Sequence, residues 1–153
     1  MKQSIFEIEE NKSIAKNTMK MILSGDVSQI KKAGQFVNIK IDGFFLRRPI
    51  SVCEACGDKL TLIYKIVGKG TEALAEMKKG ARLDLLTGLG NGYDTSKSGA
   101  SPVLIGGGAG VPPMYELAKR LLAEGKDVQA VLPLPQDVVG AAAHKDTGPL
   151  LGQ

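Results

Sequence analysis

The sequence predicts a β plus α/β protein, in which short antiparallel strands form a small barrel or sandwich and a single β-α-β unit follows. Three observations lead there. Residues 1–86 hold six or seven short apolar runs separated by turn residues, with one helical pattern among them. The texture then changes to a glycine- and serine-rich connector, Gly88-Leu89-Gly90-Asn91-Gly92 and Ser96-Lys97-Ser98-Gly99-Ala100, a candidate domain boundary. Beyond it an apolar run enters a glycine turn and continues at the helical period.

Taken in order, residues 3–10 alternate loosely around Ile5 and Ile8 and predict a first strand. Residues 17–23 predict a second, stopped by Ser24-Gly25-Asp26. After the Ala33-Gly34 turn, residues 35–41 place Ile39 and Ile41 at period two, and Asp42-Gly43 is a hairpin signal. A strand over 49–53 follows, then a turn at 57–58 and a strand over 59–67. The last has incomplete alternation, which suits a strand covered on one side and lined by ligand on the other. A short helix fits 71–78, with Leu74 and Met77 inward and Gly80 ending it, before a strand over 81–86. In the second part, Pro102-Val103-Leu104-Ile105 reads as a buried strand. Met114, Leu117, Ala118, Leu121 and Leu122 then recur as one helix face, with proline at its start and Gly125 past its end. Residues 127–132 supply the closing strand.

Two short motifs carry chemistry. In Arg47-Arg48-Pro49-Ile50-Ser51, Arg48 offers a planar fork suited to a pyrophosphate, Pro49 stiffens the turn and Ser51 adds a hydroxyl. One hairpin later, Gly68-Lys69-Gly70-Thr71 lets the backbone approach a ligand at the start of a helix. Together they read as two walls of a phosphate slot; the arginine pair alone is more often a solvated strand end. The turn Gly106-Gly107-Gly108-Ala109-Gly110-Val111-Pro112-Pro113 lacks the third glycine of G-x-G-x-x-G. A tight strand-to-helix turn without ligand accounts for it as well as an anion site does.

Composition narrows the classes. The 153 residues are 43% hydrophobic and 24% charged, as in a globular protein, with a net charge of +4 from 20 basic and 16 acidic residues. The bases are dispersed and the aromatics (three Tyr, four Phe) do not interleave with them, which argues against nucleic acid as a partner. No apolar stretch is long enough for a membrane span and no secretory signal opens the chain, so a cytoplasmic location is expected. Cys53 and Cys56 make up half a metal motif at most and read as a buried small hydrophobe and an exposed thiol.

In their order, Arg48-Pro49-Ile50-Ser51, Tyr64-Lys65, Gly68-Lys69-Gly70-Thr71, Leu89-Gly90-Asn91-Gly92 and the run from Gly106 to Pro113 resemble the ferredoxin reductase-like flavoproteins. The stretch from Gly106 to Lys119 looks most like the electron-transfer subunits of NAD-dependent (type B) dihydroorotate dehydrogenases. The resemblance runs from residue 3 to about 132. It implies an FAD-binding antiparallel β-barrel over 1–98, the start of a Rossmann-like NAD(H)-binding domain over 99–132, and an atypical tail over 133–153. Arg48, Pro49, Ile50 and Ser51 would hold the diphosphate and flavin of FAD. Ile63, Tyr64 and Lys65 would line its nucleotide part, and Gly70 and Thr71 would close over the diphosphate. Gly106, Gly107, Gly108 and Gly110 would face NAD(H). The partner implied is an FMN-containing dihydroorotate dehydrogenase catalytic subunit, reached through a [2Fe–2S] cluster.

Departures from the family set further expectations. The tail holds three of the seven prolines and the one histidine, and reads as a truncated or frame-shifted product or a natural fragment. The two cysteines match no cluster motif, so the [2Fe–2S] ligands are missing from this sequence. No acid, base or nucleophile is needed from the protein, because hydride and electron transfer belong to the cofactor. Two alternatives stand beside this reading: the reductase subunit of an NAD(P)H–ferredoxin system, and an inactive flavin-binding or subunit-docking fragment.

Overall fold

The structure is a computed structural model in which residues 1–131 are described. The tail expected over 133–153 lies outside the described residues.

Six antiparallel strands close into a barrel: β1 (Lys2–Ala15), β2 (Thr18–Ser24), β3 (Phe36–Ile39), β4 (Arg48–Cys56), β5 (Lys59–Lys65) and β6 (Arg82–Leu89), in spatial order β1-β2-β5-β4-β3-β6. Closure settles the choice between barrel and sandwich and leaves no strand edge open. β1 is longer than its sequence pattern predicts because it serves two neighbours. Its first residues pair with β6, from Lys2↔Thr87 to Glu7↔Arg82, and its remainder pairs with β2, from Glu7↔Ser24 to Ala15↔Thr18. Irregular register between Ile8 and Glu10 and between Ser13 and Ala15 bends it around the barrel. The interior is apolar, with Phe6, Met21, Leu23, Ile39, Leu62 and Leu85 fully buried.

Asp42-Gly43 does not close a two-residue hairpin. β3 stops at Ile39 and a loop over 40–47 intervenes before β4. Arg47 pins that loop, donating to the carbonyls of Asn38 (3.3 Å) and Asp84 (3.0 Å) and to both Asp84 carboxylate oxygens. The short helix α1 (Lys69–Glu76) starts two residues earlier than expected. It buries Leu74 in the barrel core, with Met77 packing partly against it. β6 runs on to Leu89, which pairs with Phe36, so the barrel takes up Gly88, the first glycine of the expected connector.

The second part is β7 (Val103–Ile105), a 3-10 turn at Gly108–Gly110, α2 (Val111–Ala123) and β8 (Gln129–Val131). β7 and β8 pair in parallel, Val103↔Gln129 to Ile105↔Val131, as a β-α-β unit requires. Pro112 and Pro113 sit in the first turn of α2, where a missing N–H costs nothing. Leu104, Leu117 and Leu121 form a small core that includes Ala33 from a barrel loop, so the two parts share a seam. Among the described residues no helix is long and apolar enough to cross a membrane.

Candidate functional site

Arg48 opens β4 and Gly70 lies in the first turn of α1; the fold brings them into contact. The Arg48 guanidinium rests on Gly70, so a Cβ added there would stand 2.6 Å from Nη2 and 2.7 Å from Cζ. Nη1 donates to the Leu46 carbonyl at 2.5 Å, and the group lies 5.2 Å from the centre of the Phe44 ring. The Nε–Nη2 edge is thus turned towards the start of α1, where the helix dipole also favours an anion. The two motifs that the sequence singles out are therefore in contact.

Thr71 contributes position. Its Oγ1 accepts from the N–H groups of Val67 (2.9 Å) and Gly68 (3.2 Å) and donates to the Gly68 carbonyl at 2.9 Å. The hydroxyl is therefore spent on fixing the turn, which leaves backbone amides as what this corner can offer a ligand. α1 is fixed at its other end by Asn11, whose side-chain amide donates to the carbonyls of Leu74 (2.9 Å) and Met77 (3.0 Å).

The remaining predicted residues divide by strand alternation. Ile50 and Tyr64 turn inward and belong to the barrel core, so only their backbone can face a ligand. The Tyr64 hydroxyl donates to Asn11 Oδ1 at 3.2 Å, and burial pushes its pKa up to about 12. Ser51 and Ile63 stand on the opposite, outer face, next to the Val52↔Leu62 pair. Pro49 and Lys65 are exposed on that same face. The Lys65 ammonium reaches across to the glycine turn, where a Cβ on Gly108 would lie 3.8 Å from Nζ. Gly108 has φ +54°, in the left-handed region that glycine tolerates. Gly106 packs tightly, a Cβ there meeting the Gly110 carbonyl oxygen and Met114 Cγ at 3.1 Å, whereas Gly107 and Gly110 are exposed.

Two groups therefore emerge. Arg48, Gly70 and Thr71 form one, and Lys65 with Gly108 forms the other, with Ser51 and Ile63 on the outer barrel face. A group with two phosphates fits this arrangement in three respects: a guanidinium edge, a corner with no room for a Cβ, and an exposed amine over a glycine turn. The sequence gives no sign of Asn11 or the Arg47–Asp84 fork, because each acts through residues distant in the chain, and Phe44, a neighbour of Arg48 in sequence, carries no motif of its own. Arg47 looks like Arg48 in sequence and proves structural. Its hydrogen bonds hold the Asp84 carboxyl below the usual carboxylate range, against the opposing effect of partial burial. A cleft of about 400 Å³ between Lys32, Tyr93, Arg120 and Glu124 touches none of the predicted residues. Among the described residues no cluster of His, Cys, Asp and Glu could hold a metal ion.

The class follows from the fold. The chain has the ferredoxin reductase-like fold: an antiparallel flavin-domain barrel followed by a nucleotide-domain β-α-β unit. It superposes on an NADH-dependent reduced ferredoxin–NADP oxidoreductase with TM-score 0.76 and 29% identity, over 83% of this chain and 47% of that one. A ferredoxin NADP+ reductase from Neisseria gonorrhoeae, solved with bound FAD and NADP, matches with TM-score 0.73 and 20% identity, over 92% of this chain and 62% of that one.

Within that class the chain is related to the dihydroorotate dehydrogenase B (NAD(+)) electron transfer subunits. The subunit of Bacillus mycoides (strain KBAB4) is 44% identical over 139 residues, 86% of this chain and 53% of the relative. The chain thus spans about half the length of the curated relatives it matches. No family model matches it.

Proposed function

We propose that this chain binds FAD across the Arg48–Gly70 corner and carries electrons between NAD(H) and the FMN-containing catalytic subunit of a dihydroorotate dehydrogenase. The observation that supports this most is the seating of the Arg48 guanidinium on Gly70. A bare glycine under an arginine, at a helix start, makes a corner for a diphosphate, and the relatives carry the matching name. On this reading residues 1–98 are the flavin domain and 99–132 the start of the NAD(H) domain. When bound, FAD supplies the exchange between a hydride and single electrons. The chain's own part is to hold and orient. Arg48 and the first amides of α1 bind the diphosphate, and Ser51, Pro49 and the backbone of Ile50 line the flavin. Ile63, Lys65 and the backbone of Tyr64 line the nucleotide side. Gly106, Gly107, Gly108 and Gly110 leave room for the nicotinamide nucleotide, with Lys65 offering positive charge at the boundary.

The test is flavin titration of purified protein followed by NADH. FAD uptake, and delivery of electrons to a dihydroorotate dehydrogenase catalytic subunit when one is added, support the reading. The 29% identical ferredoxin–NADP oxidoreductase favours a second reading, a reductase for a ferredoxin. Faster reduction of ferredoxin than of the dehydrogenase subunit would select it.

A further inference from the structure

The barrel-facing side of α2 carries two ion pairs, neither of which includes a residue that the sequence analysis places in the cofactor site. Lys119 donates to Glu54 Oε1 of β4 at 2.5 Å. Arg120 donates through Nε to Glu116 Oε1 at 2.9 Å, and its Nη1 leaves the helix to reach the Lys31 carbonyl on the barrel at 2.5 Å. An ordinary i,i+4 pair would leave the guanidinium facing water. Here the same guanidinium spans a helix carboxylate and a barrel carbonyl, which suits the rigid fork of arginine and not lysine. Glu116 is only 9% exposed and, among the described residues, its Oε2 is buried without a partner and its one side-chain ion pair is with Arg120. α2 continues directly from the glycine turn, so holding the helix against the barrel also fixes where Gly108 stands relative to Lys65.

We propose that Arg120, Glu116 and the Lys31 carbonyl, together with Glu54 and Lys119, form a latch that holds α2 on β4 and sets the height of the glycine turn over the outer barrel face. The latch residues touch no ligand and are positioning residues for a nucleotide bound across the seam. The nucleotide half of this inference rests on the proposed function, whereas the latch itself does not.

The protein contains its own reporter. Cys53 sits at the irregular register of β4 between Val52 and Glu54, lies outside the barrel core cluster and is nonetheless only 2% exposed. Its thiol feels the charges of Glu116 and Lys119 on α2, and β4 is the strand against which α2 packs. Cys56 is exposed. A thiol reagent such as dithiobis-nitrobenzoate therefore gives a fast phase from Cys56 and a slow one from Cys53. Burial is the main cause that pushes the Cys53 pKa up to about 12, so Arg120→Ala, by loosening α2 from β4, raises both access to the thiol and its reactive ionised fraction.

With FAD-loaded protein, Arg120→Ala is expected to speed the Cys53 phase by about tenfold or more and leave the Cys56 phase unchanged. FAD affinity should stay within about twofold, while flavin reduction at saturating NADH falls about tenfold. Arg120→Lys, which keeps the charge without the fork, gives an intermediate result and serves if the alanine variant does not fold. Wild-type Cys53 kinetics in both variants would overturn the latch. Faster labelling with an unchanged limiting rate of reduction would overturn the positioning role. Failure of the wild-type chain to take up flavin would overturn the proposed function, and the Cys53 phase would still decide the latch.

Discussion

Gly70→Ala isolates the Arg48 corner. The new methyl would stand 2.6 Å from Arg48 Nη2 and 2.7 Å from Cζ, well inside van der Waals contact. Gly70 has no positive φ, so alanine meets no backbone strain there, and within a helix it is favoured over glycine by up to about 1 kcal/mol. The obstacle is the far end of a flexible side chain, and the guanidinium can move aside at small cost. Fold stability should therefore stay within about 1 kcal/mol of wild type, while the displaced Arg48 no longer presents its edge to the diphosphate. Loss of a charge-assisted contact is worth about 1.5–3 kcal/mol, which corresponds to a rise in the FAD dissociation constant of about 10- to 150-fold. Quenching of flavin fluorescence measures the binding and a urea melt measures the fold. Arg48→Ala should cost about the same, and the double variant little more than either, because both changes remove one contact. Unchanged FAD affinity in Gly70→Ala, or additive losses in the double variant, would refute the reasoning.

Asn11→Ala should destabilise the protein by about 1–3 kcal/mol, because it strips the carbonyls at the end of α1 and the Tyr64 hydroxyl of their partner; a urea melt checks it. Asp84 titrates below its ordinary range when folded, chiefly through the hydrogen bonds from Arg47. Its contribution is therefore present above the unfolded pKa of about 3.9 and is lost as pH falls through the lower folded value. Between pH 7 and pH 3 wild type should lose more stability than Asp84→Asn, and equal losses would count against the Arg47 fork. With FAD bound, the 153-residue chain should show flavin absorbance without the extra visible bands of an iron–sulfur cluster, since two cysteines cannot supply four thiolates. Iron and sulfide analysis after anaerobic reconstitution checks this, with stoichiometric iron as the contrary result.

The barrel was legible because its signal is local. Alternation, turn residues and strand length can be read within a window of ten residues, and five of the six barrel strands lie close to where the pattern places them. The exception is β1, whose extra length exists to pair with both β2 and β6, a demand no local pattern carries. The Arg48–Gly70 corner was legible as two motifs one hairpin apart, because antiparallel pairing of β4 with β5 sets the start of β4 beside the end of β5, from which α1 follows. Strand alternation separated Ile50 and Tyr64 from Ser51, Ile63 and Lys65, and incomplete alternation in β5 was the one hint of a two-sided strand. Arg47 and Arg48 are indistinguishable in sequence because their difference is Asp84, which is 37 residues away. The Arg120 latch was hidden for the same reason: its barrel partner is a main-chain carbonyl, and carbonyls have no sequence signature.

The central claim is a diphosphate slot, and parallel calorimetric titrations of the purified chain with FAD and FMN test it most directly. FAD should bind one per chain, and FMN, with a single phosphate and no adenylate, at least about tenfold more weakly, the loss expected when one charge-assisted contact goes unmade. Equal affinity for the two flavins, or no binding of either, would contradict it.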